Sequence, residues 1–310
     1  MSSEYDIAII GGGPVGATLA LALRGSKLKV CVLEARPAHF ARNDARALAL
    51  SYGSRLILSR LAVWDALQDV SPIQTIHISQ QHSFGRTILR AAEMKVPELG
   101  YVLPYAALQD ALTHELQNSS IKSIYGALAT QLNNSADHAV IGYQQEGAAH
   151  TLQARLAVVA DGGKLLLQQH PPKTRDYGQS ALISHITCAA PQAKTAFERF
   201  TPQGPLALLP FQNGYALVWT TSHQVAQEML AWNDVKFLGE LHRQFGDRVG
   251  EFLMVGERVC FPLGLQRAPQ QTPMPHTVLI GNAAQTLHPV AGQGFNIGLR
   301  DAWELAQRIL

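Results

Sequence analysis

Apolar residues in the first part of the chain recur with two alternating periods. Residues 5–10 and 29–33 are short apolar runs, the pattern of strands buried on both faces. Between them 15–24 reads as a helix, and a second is expected at about 52–67. Leu108, Leu112 and Leu116, with Ala107 and Ala111, mark one face of a third. Residues 73–90 alternate as short strands, with Ile76 and Ile78, then Ile88 and Leu89, apart from the first two. Three successive strands are expected at 139–143, 151–153 and 156–160, the first two flanking a turn at Glu146-Gly147. Pro171-Pro172 then reads as a linker into a β-rich layer over 180–265. That layer has a strand at 181–188, a hairpin of 206–211 and 215–221 across Gln212-Asn213-Gly214, and a strand around 258–263. A helix from about Asp234 puts Val235, Leu238, Leu241 and Phe245 on one face. A second linker, 270–275, leads to a buried strand at 277–280 and a glycine-rich loop. A last helix follows, with Phe295, Leu299, Ala302, Ala306 and Ile309 on one face.

Composition narrows the partners. The chain of 310 residues is long enough for two interleaved domains with ample core. Charged residues make up 15%, below the roughly 25% usual for soluble domains, which leans towards an apolar ligand or an apolar surface. A net charge of +2, with no Lys/Arg cluster, gives no argument for nucleic acid. Cys31, Cys188 and Cys260 match no metal or redox spacing and read as apolar residues in a reducing compartment. The histidines form no ligand spacing, so no metal is expected. No basic n-region opens the chain and no apolar run of membrane-spanning length occurs, so neither a signal peptide nor a transmembrane helix is expected.

The chemistry-bearing residues lie at the two ends of the chain. Gly11-Gly12-Gly13-Pro14-Val15-Gly16 is G-x-G-x-x-G between a strand and a helix. Gly11 permits the tight turn, Gly13 lets a pyrophosphate approach, and Gly16 lets the helix pack on the strand. Glu34, closing the next strand, can accept both ribose hydroxyls of an adenosine. Its charge would repel a 2′-phosphate, so the site takes NAD or FAD. Arg46 reads either as a solvated arginine or as a guanidinium reaching the cofactor, and Gln109 either faces the cofactor or solvent. Asp161-Gly162 ends a strand, placing a carboxylate beside the pyrophosphate or making a plain turn. Near the C-terminus, the loop from Gly281 and Asn282 leads into a helix beginning near Gly292–Gly294. The helix's free N–H groups suit an anion, or a ring that becomes anionic on reduction.

Those residues, in that order, resemble the flavin-dependent aromatic hydroxylases, the family of para-hydroxybenzoate hydroxylase. Gly281-Asn282-Ala283-Ala284-Gln285 stands where the family usually has G-D-A-A-H, and Asn282 can still hydrogen-bond a ribityl hydroxyl. The asparagine and the following Thr286-Leu287-His288-Pro289 are most similar to the ubiquinone-biosynthesis branch that hydroxylates 2-octaprenyl-6-methoxyphenol. So are Ala196-Phe197-Glu198-Arg199-Phe200-Thr201, Gly204-Pro205-Leu206-Ala207 and Leu217-Val218-Trp219. Two features depart from the family. Lys164-Leu165-Leu166-Leu167 stands where a serine and an arginine are usual, and the chain stops inside its last helix, as a truncated chain would.

The resemblance implies an α/β fold, a Rossmann-like FAD-binding domain (1–72, 100–168 and 273–310) interleaved with a β-rich substrate domain (73–99 and 169–272). It implies non-covalent FAD held by Gly11, Gly13, Gly16, Glu34, Arg46, Gln109, Asp161, Gly162, Asn282, Pro289, Gly292, Gln293, Gly294 and Asn296. The activity implied is hydroxylation of a prenylated phenol by O₂, through a flavin hydroperoxide formed after reduction by a transient NAD(P)H. The implied location is cytoplasmic, open to peripheral contact at the inner membrane or to a ubiquinone-pathway assembly. Another FAD oxidoreductase on the same fold, such as a prenyl reductase or halogenase, and a non-catalytic flavin-binding subunit stay open. His288 reads as an orienting or packed histidine as readily as a base, and no catalytic acid or base is identified. Phe211, Trp219 and Phe261 read as core before substrate contacts.

Overall fold

The computed structural model describes residues 4–38, 46–167, 169–286 and 293–310. Its first sheet is built on the strand Tyr5–Ile10, which pairs in parallel with Val30–Glu34 on one side and Ala148–Val159 on the other. Lys122–Tyr125 extends it beyond Val30–Glu34, and Thr277–Leu279 lies beside the end of Ala148–Val159, with Val158 opposite Val278. Alternation along Tyr5–Ile10 sends Ile7 and Ile9 to one face and Ala8 and Ile10 to the other. The first face is covered by the helices Pro14–Leu23, Tyr105–Gln117 and Gln293–Ile309. The first and last of these touch closely. A Cβ on Gly298 would lie 2.8 Å from Cγ2 of Val15, so the absent side chain is what brings the two ends of the chain together.

Two expected strands are one. Ala148–Val159 runs unbroken for 12 residues, because it pairs with Ala139–Gln145 over its first half and with Thr277–Leu279 over its last. The two residues between the expected strands sit within this pairing: Ala154 is fully buried, and Arg155 forms an ion pair with Asp6 at 3.2 Å. The helix expected at 52–67 stops at Arg60. Ala62 takes a left-handed φ of +61°, and its N–H closes on the carbonyl of Ser59 at 3.1 Å, ending the helix without glycine. A short helix, His223–Leu230, was absent from the periodicity; Ser222 caps it by accepting from the Val225 N–H.

The nine-stranded second sheet takes Thr75–Gln80 and Arg86–Arg90 from the first half of the chain and the long strands Lys173–Cys188, Gly204–Phe211, Gly214–Ser222 and Val259–Arg267 from the second. Lys173–Cys188 begins directly after Pro171-Pro172, earlier than the strand expected at 181–188. Its outer half pairs with 264–267 across a register shift between Asp176 and Gln179. One face of this sheet packs on the helices His223–Leu230 and Asp234–Phe245, through Trp219, Phe237, Leu241 and Phe245. Trp219 and Phe211 are buried core residues. A small three-stranded sheet, with Gly100–Pro104 between Ala47–Ser51 and Ser71–Ile73, lies in the segment between the helices.

Candidate FAD and substrate site

The glycine loop meets its geometric requirements one residue at a time. Gly11 has φ +107°, and a Cβ there would stand 2.6 Å from the Ala160 carbonyl oxygen. A Cβ on Gly16 would stand 1.9 Å from the Gly11 carbonyl oxygen, so helix and loop are in backbone contact. Gly13 differs: it faces a cavity, and nothing lies within 4 Å of where its Cβ would be. That open cradle precedes Pro14 at the start of the helix, where unpaired N–H groups and the positive end of the dipole lie. A phosphate group fits there without rearrangement.

Glu34 is buried at the end of its strand. One carboxylate oxygen accepts from the Gly12 N–H at 2.8 Å, and the other from the backbone N–H and Nε of Arg36 at 2.9 and 2.8 Å. Burial alone would raise its pKa, but the Arg36 guanidinium and the two amides outweigh it and hold the carboxyl below its usual range. Arg36 also lines the cavity and was missed by the sequence reading, although its place two residues beyond an acid at a strand end was visible.

The other candidates divide into wall and support. Arg46 lines the cavity with its guanidinium over the Tyr105 ring at 4.9 Å and the Phe261 ring at 5.7 Å. Asp161 and Gly162 also line it. The Asp161 oxygens accept from the N–H groups of Gly163 and Leu165 at 2.8 and 2.7 Å, shaping a turn that forms part of the cavity wall. Asn282, in the short helix Gly281–Ala283, is exposed on the wall, and the half-buried Gly294 lines it from the first turn of the last helix. Asn296 reaches the cavity but its amide is used internally. Oδ1 accepts from the Ser51 N–H at 2.8 Å and the Ser54 hydroxyl at 2.7 Å, and Nδ2 donates to the Ala49 carbonyl at 3.0 Å.

Gln109 neither faces solvent nor lines the cavity. It is fully buried behind the glycine loop, its Nε2 donating to the Gly12 carbonyl at 3.1 Å. Gly16 is likewise behind the wall. Pro289, Gly292, the Gln293 side chain and His288 lie outside the described residues.

The cavity measures about 1280 Å³ and runs from the glycine loop to the open face of the nine-stranded sheet. Single small-molecule sites span roughly 300–1,000 Å³, so a dinucleotide and a second ligand fit together. The far wall is made by Ala181, Ile183, Ala207, Leu209 and Val218, with Thr220 and Glu198 as polar interruptions. Burial pushes the Glu198 carboxyl up to about 7. In the sequence Glu198 stands only within the motif 196–201. Its side of the strand follows from alternation with Arg199 only once the sheet is assembled.

Comparison with known proteins shows which family the chain belongs to. The chain is 33% identical over 314 residues to ubiquinone hydroxylase UbiL of Rhodospirillum rubrum, covering 98% of this chain and 72% of the relative. It is 32% identical over 306 residues to 3-demethoxyubiquinol 3-hydroxylase of Escherichia coli, covering 96% of this chain and 77% of that one. The crystal structure of p-nitrophenol 4-monooxygenase from Pseudomonas putida superposes with a TM-score of 0.78 at 15% identity, over 99% of this chain and 80% of that one, a likeness of fold alone. The FAD binding domain model matches residues 4–310, and the chain, with a glycine cradle open for a pyrophosphate, belongs to that family of FAD-binding proteins.

Proposed function

We propose that this protein is an FAD-dependent monooxygenase that hydroxylates the ring of a prenylated phenol in ubiquinone biosynthesis, consuming NAD(P)H and O₂. The observation that carries the reading is the single cavity with a phosphate cradle at one end and an apolar sheet face at the other. Relatives named as ubiquinone-pathway hydroxylases favour it over a prenyl reductase, a halogenase or a non-catalytic flavin-binding subunit. When bound, FAD supplies the redox and oxygen chemistry. The rest is the work of this chain. The start of the helix Pro14–Leu23 holds the pyrophosphate, Glu34 with Arg36 holds the ribose, and Arg46 and Asp161 flank the cofactor. Asn282 and Gly294 stand at the ring end. Gln109 and Asn296 act one layer back, fixing the Gly12 carbonyl and the strand Ala47–Ser51. The apolar wall excludes water from the reacting ring.

The domains divide the labour accordingly, with 1–72, 100–168 and 273–310 binding FAD and 73–99 and 169–272 receiving the substrate. No helix among the described residues is long and apolar enough to cross a membrane. A cytoplasmic protein touching the inner membrane peripherally would meet a substrate whose polyprenyl tail partitions into lipid.

The test uses purified protein loaded with FAD. Acid precipitation should leave a yellow supernatant, as non-covalent FAD requires. A panel of prenylphenols should stimulate NAD(P)H-dependent oxygen uptake and gain one oxygen atom by mass spectrometry. Uptake indifferent to every phenol, or products without added oxygen, would overturn the proposal.

A further inference from the structure

The motif Ala196-Phe197-Glu198-Arg199-Phe200-Thr201 is not among the residues assigned above to FAD. The strand Thr195–Thr201 sends its two charged side chains in opposite directions. Arg199 turns to the helix-covered side, where its Nε donates to the Gln244 carbonyl at 2.7 Å and its guanidinium to Ser79 Oγ at 3.3 Å. Glu198 turns to the cavity. Its neighbours across the sheet are Ala207 and Ile78, and Ala196 lies two residues before it on the same face; none can donate a hydrogen bond from its side chain. Among the described residues no group hydrogen-bonds or ion-pairs with its carboxyl. Such an acceptor on an apolar wall is costly unless a ligand supplies the donor. The substrate class proposed above carries one polar donor on its ring, the phenol hydroxyl.

We propose that Glu198 receives that hydroxyl and acts as the general base of the hydroxylation. This rests on the hydroxylase reading of the same cavity. As the ring carbon bonds to the outer oxygen of the O–O unit that FAD and O₂ would supply, that O–O bond breaks with its electron pair leaving on the inner oxygen. In the same step the phenol O–H bond breaks and its proton moves to a Glu198 carboxylate oxygen. The electron pair of the O–H bond becomes the second bond of a ring carbonyl, leaving a cyclohexadienone. The hydrogen on the newly oxygenated carbon then leaves to water, the Glu198 proton returns to the carbonyl oxygen, and the aromatic dihydroxy product forms with Glu198 restored. A free phenol, with a pKa of about 10, would not give its proton to a carboxylate. The hydroxyl becomes far more acidic as the ring donates electrons, so a base titrating near the working pH suffices. The shift that brings Glu198 there comes from burial alone. Thr75–Gln80 and Gly204–Phe211, on either side, face it with Ile78 and Ala207 and bring no charge. Glu34, Arg36, Arg46, Tyr105, Asp161 and Lys164 belong to the other walls of the cavity, and none contributes to its shift.

The experiment compares FAD-loaded wild type with Glu198→Gln and Glu198→Asp. Binding of 2-farnesylphenol and of its methyl ether to the oxidised holoenzyme is followed by flavin absorbance from about pH 5 to about pH 9, around the titration of Glu198. In wild type the affinity for the phenol should change several-fold through a pH of about 7 while that for the ether stays level. In Glu198→Gln the phenol profile should be flat and product formed per O₂ should fall by about a hundredfold, with Glu198→Asp recovering part. The folded pKa is raised, so wild-type stability falls as pH rises through it. Glu198→Gln should therefore melt with wild type at low pH and above it at high pH, showing that the variant folds. An unchanged phenol profile and unchanged coupling in Glu198→Gln overturn this inference while leaving the hydroxylase reading intact. A wild-type holoenzyme whose oxygen uptake ignores phenols overturns both.

Discussion

At the residue scale, Gly13 and Gly16 are chemically identical and carry opposite predictions. Gly16→Ala pushes a Cβ to within 1.9 Å of the Gly11 carbonyl oxygen, and overpacking of that kind costs about 1–3 kcal/mol or more. Gly13→Val adds atoms to open space at an ordinary φ of −64°, so it should fold and melt like wild type. Its FAD affinity should nevertheless fall about a hundredfold, or roughly 2.7 kcal/mol. Thermal melts of FAD-free protein and flavin titrations separate the two; a Gly13→Val protein that binds FAD normally would remove the pyrophosphate from that cradle. Glu34→Ala should weaken FAD binding by about tenfold to a hundredfold, since it loses a charge-assisted hydrogen-bond pair worth roughly 1.5–3 kcal/mol. The same variant tests linkage. A depressed folded pKa contributes stability above the unfolded value of 4.5 that is lost as pH falls through the folded one. The melting difference between wild type and Glu34→Ala should therefore shrink in acid, and a difference constant with pH would mean that Glu34 is not ionised in its pair with Arg36. The tight turn at Gly11, the backbone contact at Gly16 and the open space at Gly13 were legible in sequence because a local strand-turn-helix sets them. Arg36 and Glu198 were not, because their meaning depends on which way a side chain points across a sheet assembled from distant segments.

At the element scale, Asn296 joins the last helix to the strand Ala47–Ser51 and to the cap of the helix after it. Asn296→Ala leaves the Ser51 N–H and the Ala49 carbonyl without their partner, at about 1–3 kcal/mol. That corresponds to several degrees of melting temperature, at about 2–4 °C per kcal/mol in a chain of this order of size. The loss should be the same in FAD-free and FAD-loaded protein if Asn296 is a support, whereas a loss confined to the loaded form would make it a direct ligand. Local periodicity found the last helix but not this bond, which spans 245 residues of chain. The long strand Ala148–Val159 failed for a related reason. Its two halves have different neighbours, so its hydrophobic pattern changes midway while the backbone continues.

At the scale of the whole molecule, the cavity belongs to both ends of the chain and to the sheet between them. Gly11 and Gly13 come from the beginning, Asn282, Gly294 and Asn296 from the end, and Ile183 to Val218 from the middle. The helices that carry the two ends are in contact, Gly298 and Gly281 lying against Val15. A ligand filling the cavity therefore ties together segments that no single stretch of sequence holds. FAD at a hundred times its dissociation constant should stabilise the native state by about 2.7 kcal/mol. The more telling measurement is where that stabilisation is felt. Hydrogen exchange should slow on adding FAD in the glycine loop and in Gly281–Ala283 together with the first turn of Gln293–Ile309. The strands Gly204–Phe211 and Gly214–Ser222 should gain protection when a prenylphenol is added after FAD, because their cavity face is the apolar wall. Protection confined to the glycine loop would mean that the nucleotide end alone is bound and that Gly281–Ala283 and the start of Gln293–Ile309 lie outside the FAD site.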